Sequence, residues 1–80
     1  MSGQQIHQRV RVGIVGCGAI VREAHLPVIT SDPGVEVVLL CDRDRGNATL
    51  LAREFGLDAA ITSDVADFAG KVDLAIVAVP

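Results

Sequence analysis

Aromatic side chains are almost missing from this 80-residue chain: there is no tryptophan, no tyrosine, and phenylalanine only twice. A core anchored on a few large rings is excluded, and the apolar content is instead carried by 12 Val, 10 Ala, 7 Leu and 6 Ile. Basic residues are also scarce. Seven Lys and Arg against ten Asp and Glu leave a net charge of −3, with no cationic stripe to neutralise a phosphate backbone, which excludes a nucleic-acid partner. No long hydrophobic run is present either. The longest, Leu74 to Val79, falls far short of the roughly 20 apolar residues a membrane-spanning helix needs. Arg9 and Arg11 ahead of Val12–Val21 imitate a secretory leader, but three glycines inside that run and no small-residue cleavage site behind it argue against one. Cysteine occurs only at 17 and 41, too far apart for a C-x-x-C site and too few for a disulfide framework, so a reducing cytoplasm is the expected compartment.

What remains is a chain of small branched residues long enough for one small domain or part of a larger one. At this size roughly 60–65% of the unfolded surface is buried, which leaves little margin over conformational entropy. Residues 1–9 are polar and are expected to be a flexible tail. From there β-branched and helical patterns alternate. Val10–Val15 reads as a strand ending in Gly16-Cys17-Gly18, and Ala19 to about Thr30 has helical spacing with Val21, Ala24 and Val28 on one face. Pro27 should kink that helix or end it early. Ser31-Asp32-Pro33-Gly34 is a turn, Val35–Cys41 an almost wholly apolar strand, and Asn47–Phe55 a helix with Gly56 placed to cap its end. Ala59-Ala60-Ile61 is a short strand. Ser63 or Asp64 can cap a brief helix carrying Val65, Phe68 and Ala69, and Asp73–Val79 is a further buried strand. The β-α-β-α-β-α-β order predicts an α/β fold: a doubly wound parallel sheet of order 3-2-1-4 with helices on both faces.

Chemistry concentrates at the first strand-to-helix junction. Gly16 permits a tight turn, Gly18 presents no side chain to hold a diphosphate off the backbone, and the amides of Ala19 and Ile20 open a helix whose dipole attracts anionic oxygens. A purely structural turn is the competing reading; the preceding strand and following helix favour the phosphate one. Where a third glycine is expected stands Val21, whose bulk should push the helix away from the sheet. Asp42 directly follows the second strand, 24 positions after Gly18, near the spacing at which a carboxylate meets ribose hydroxyls. A carboxylate there repels a 2′-phosphate and favours NAD, while Arg43 and Arg45 pull toward NADP. Asp44 is the rival acid, better placed to cap the next helix. With strands one and four adjacent, Gly16–Ile20 and Ala78–Pro80 should face each other across the ligand crevice.

Four segments in order and spacing now carry a resemblance: Arg11–Ile20, His25-Leu26-Pro27, Val38–Arg43 and Val72–Pro80 look like the amino-terminal part of the Gfo/Idh/MocA oxidoreductases. The resemblance implies a partial Rossmann domain over residues 10–80, cut after the fourth strand, with the rest of that domain and a substrate domain lying in a longer protein. It implies NAD, or NADP, as cofactor and a sugar, polyol or related alcohol as substrate of that protein, itself expected to be a homo-oligomer. By position Gly16, Gly18, Ala19 and Ile20 would hold the diphosphate, Asp42 and Arg43 the adenosine end, and Val79 and Pro80 the crevice border. The family's catalytic lysine falls after the last strand, so Lys71 does not match it, no catalytic residue is expected among the 80, and the chain by itself should be inactive.

Other reactive side chains read as structural. Cys17 sits at a helix start, where the dipole lowers a thiol pKa, but without a helper it reads as a small packed residue. His25, beside the Pro27 kink, is placed to reach a carbonyl that the kink frees. Two histidines and two distant cysteines make no metal site. A nucleotide-sensing module without chemistry is the alternative function. An S-adenosylmethionine-dependent methyltransferase is a third, disfavoured by Ile20 where another glycine is expected and Ile14 where an acid often stands.

Overall fold

Alternating β-branched residues favour extended backbone, and in the computed structural model, which describes residues 9–79, they place β1 (Val10–Val15) at the centre of a sheet. β1 pairs on one side with β2 (Val35–Cys41), which pairs in turn with β3 (Ala60–Thr62), and on the other side with β4 (Leu74–Val77). All pairings are parallel and the order is β3-β2-β1-β4, the α/β arrangement expected from the sequence. The expected tail lies outside the described residues except for Arg9, and Pro80 lies outside them as well.

The register of β1 against β2 slips once. Val12 pairs with Val37 but Gly13 pairs with Leu39, so Val38 is an extra residue in the longer strand. Such a bulge breaks the two-residue alternation of faces. Val37 and Leu40 therefore join the core on one face with Val12 and Ile14, whereas Val38, Leu39 and Cys41 pack on the other around Phe68.

The first face is covered by the two helical segments that follow β1 and β2, through Val21, Leu26, Ala48 and Leu51. α2 (Arg45–Phe55) starts two residues before the expected Asn47, because Asp44 caps it: its Oδ1 accepts from the Gly46 amide at 2.9 Å. Gly56 ends it at φ 63°, the left-handed cap anticipated there. The opposite face is closed by a 3₁₀ turn, Val65–Phe68, capped by Asp64, whose side chain accepts from the Ala66 amide. Only Phe68 is buried there; Val65 and Ala69, expected on the same face, are exposed, because a single tight turn aims one large side chain at the sheet.

The segment after Gly18 departs most from expectation. Val21–His25 form a π turn and the chain then continues through one α turn, α1 (Leu26–Ile29). Pro27 has no amide to give and its ring crowds the carbonyl four residues back. Widening the preceding turn by one residue, with the Leu26 amide donating to the Val21 carbonyl, keeps the helix going where an early end was one expectation. That extra residue also resets the buried face. Val21 and Leu26 are buried, whereas Ala24 and Val28, expected beside Val21, are exposed.

β4 was expected to be buried and is not: Leu74 and Val77 are 52% and 67% exposed. Its apolar residues suit a covered strand, but among the described residues it is an edge strand with β1 as its one neighbour.

Candidate functional site

The carboxyl ends of all four strands converge on one rim, and the turn after β1 is the tightest part of it. Gly16 adopts φ 96°, and a Cβ on it would come within 2.6 Å of the Ala78 carbonyl oxygen. The Gly16 amide donates to the Cys41 carbonyl at 2.8 Å and the Ala78 amide to the Val15 carbonyl at 2.8 Å, drawing β2 and the segment after β4 against the turn. Only glycine satisfies both the dihedral and the contact. Gly18 is the opposite case: a Cβ there would meet no atom within 4 Å, because its α-carbon faces open space. Among the described residues the amides of Gly18, Ala19 and Ile20 donate to no group outside their own helical segment. Val21, at the place of the expected third glycine, is fully buried, and its residue opens the π turn.

Asp42 leaves β2 with its own amide donating to the Thr62 carbonyl of β3 at 3.1 Å. Both oxygens of its carboxylate are engaged: Oδ2 accepts from the Cys17 amide and Oδ1 from the Asp44 amide, each at 2.9 Å. Two amides hold the acid in one pose at the lip of the cleft, each oxygen keeping a lone pair for a further donor. Asp44 serves as the cap of α2, as its position suggested, and does not compete for the cleft.

Beside the turn and the acid lies a cleft of about 570 Å³, lined by Gly16, Gly18, Asp42, Arg43 and Val79. Those five expected site residues are thus brought together. Ala19 and Ile20 lie beside the cleft at the start of the helical segment, both exposed, and do not line it; Pro80 falls outside the described residues. Ser63 and Val65 also line the cleft, and neither was assigned to it from the sequence. Their signal was topological: they directly follow β3, which ends on the same rim as β1 and β2.

The remaining reactive groups behave structurally. Burial, with the Asp42 carboxylate and Cys41 adding, pushes the Cys17 thiol up to about 11. Its Sγ donates weakly to the Cys41 carbonyl at 3.7 Å, so the thiol is packed and protonated, as its lack of a helper suggested. Burial likewise raises the Cys41 thiol. His25 does not find the freed carbonyl expected for it, since its buried Nδ1 has no hydrogen-bond partner. Lys71 precedes β4, at the end of the sheet away from the cleft.

A family profile described as the oxidoreductase family with an NAD-binding Rossmann fold, GFO_IDH_MocA, matches residues 10–80. Among solved structures, myo-inositol dehydrogenase from Lactobacillus casei in complex with NAD(H) and myo-inositol is 32% identical at a TM-score of 0.80, over 89% of this chain and 22% of that one. GenD2 from gentamicin A biosynthesis, in complex with NAD, is 32% identical at 0.79, over 98% and 22%. A 3-ketoreductase from Actinomadura kijaniata in complex with NADP is 27% identical at 0.79, over 91% and 23%. The chain therefore spans about a fifth of the length of these relatives. Comparison with curated proteins gave no match. These findings give the methyltransferase reading no support.

Proposed function

This chain belongs to the Gfo/Idh/MocA oxidoreductase family, and from that premise we propose that its cleft is the nicotinamide-dinucleotide site of an enzyme oxidising or reducing a sugar, polyol or related alcohol. The observation that carries the reading is the meeting of a glycine turn, open at Gly18, and a fixed carboxylate on one cleft. Gly16 brings the turn close to the sheet, and Gly18 leaves room for a diphosphate beside the amides of residues 18–20. Ala19 and Ile20 begin the helical segment whose positive end faces that room. Asp42 accepts hydrogen bonds from the adenosine ribose hydroxyls, and its charge disfavours a 2′-phosphate, so NAD is the preferred cofactor. Arg43 covers the adenosine end. Val79 borders the crevice on the side where the nicotinamide would lie.

When bound, the nicotinamide ring supplies or accepts the hydride. The chain's own part is to bind and orient. Its share of the relatives' length supports placing the substrate-binding and catalytic groups on further parts of a longer protein. Two buried, unpaired thiols support a reducing cytoplasm. Calorimetry tests the reading: NADH should bind the folded protein, and Asp42→Ala should weaken binding about tenfold, the scale of one lost charge-assisted bond pair. Equal affinity in the two proteins would remove Asp42 from the site.

A further inference from the structure

We infer that Asp42 is a positioning residue for the glycine turn, acting on the diphosphate through the Cys17 amide independently of any bond it makes to ribose. The inference rests on the dinucleotide reading and deepens it. The carboxylate is the only bridge among the described residues between the side chain of the β2–α2 loop and the backbone of the turn: Oδ2 takes the Cys17 amide while Oδ1 takes that of Asp44. Cys17 lies between Gly16, fixed by the sheet through its amide, and Gly18, where a Cβ would meet no protein atom. The turn is therefore anchored at its first residue by β2 and at its second by Asp42, and the next amides are those offered to the ligand. Preorganised donors bind an anion without the cost of ordering them, so loosening the second anchor should weaken diphosphate binding even when no ribose hydroxyl is present.

The sign of the effect is diagnostic. A carboxylate near a diphosphate repels it, so deleting the charge alone would tighten binding of a ligand without hydroxyls. Weakening reports the loss of backbone that the carboxylate holds in place.

The test compares ADP with 2′,3′-dideoxy-ADP, which keeps the adenine and diphosphate and lacks both hydroxyls, on the native protein and on Asp42→Ala and Asp42→Asn. The asparagine keeps the shape but can accept from one amide only, and it serves if alanine costs the fold. Expected is a loss of about threefold or more for the dideoxy ligand in both variants, with a larger loss for ADP. In the native protein without ligand, the Cys17 amide should exchange its hydrogen more slowly than the Gly18 amide. An ADP loss with unchanged or tighter dideoxy binding overturns the positioning role and leaves the cofactor site standing, as does equal exchange at residues 17 and 18. Failure of native protein to bind ADP, NADH or the dideoxy ligand overturns the cofactor site and this role together.

Discussion

The ring of Phe68 rests against the α-carbon of Gly13, so closely that a Cβ on Gly13 would lie 2.5 Å from its Cε2 atom. A glycine in the central strand weakens that strand locally, and the contact explains why one stands there: it is the seat of the one large side chain closing that face of the sheet.

Gly13→Ala should therefore destabilise the protein by about 1–3 kcal/mol, the range for overpacking a filled site. Chemical denaturation gives the value directly. Adding Phe68→Leu to Gly13→Ala should recover part of the loss, and simple additivity of the two changes would mean that they do not meet.

The two glycines of the turn should respond in opposite ways. Gly16→Ala forces a side chain into a positive φ and against the Ala78 carbonyl, and should cost about 1–3 kcal/mol of stability. Gly18→Ala meets no protein atom and should leave the denaturation midpoint within about 0.5 kcal/mol of native. Its methyl would occupy the space offered to the diphosphate, so calorimetry should show NADH affinity reduced at full stability.

Acid should act through Asp73. Its carboxylate accepts from both the amide and the guanidinium of Arg11, which hold it below the usual carboxylate range. A group with a lowered folded pKa stabilises the fold above its unfolded pKa and loses that contribution as pH falls through the folded value. The pair is exposed, so the effect is small and screened by salt. Asp73→Asn should flatten the acid limb of a stability profile recorded as pH falls below the carboxylate's ordinary unfolded range; an unchanged slope would show that the pair contributes nothing.

The free edge of β4 should govern solution behaviour. Leu74 and Val77 are exposed, and no charge or proline interrupts residues 74–79. Unprotected edges of this kind template pairing between chains. The 80-residue chain should associate as its concentration rises, and Val77→Lys should suppress this in sedimentation runs without lowering NADH affinity.

Strand identity, sheet order and the Asp44 and Gly56 caps were legible in the residues, whereas the bond from the Cys17 amide to Asp42 was not. The former are written in local signals: β-branched runs, a short acid before a helix, a glycine after one. The π turn was not, because Pro27 announces a disturbance without saying how the backbone resolves it. The exposure of Val28 follows from that single inserted residue. Neither could the burial of β4 be read correctly, since an apolar run reports what a strand prefers to touch and not how many neighbours it has. Ser63 and Val65 escaped because a cleft wall is assembled from ends of strands distant in sequence.

β2 carries seven residues against a six-residue neighbour, and Val38 takes up the difference. A strand lacking that one residue would keep strict alternation, and either its upstream or its downstream half would turn its apolar side chains to the wrong face of the sheet.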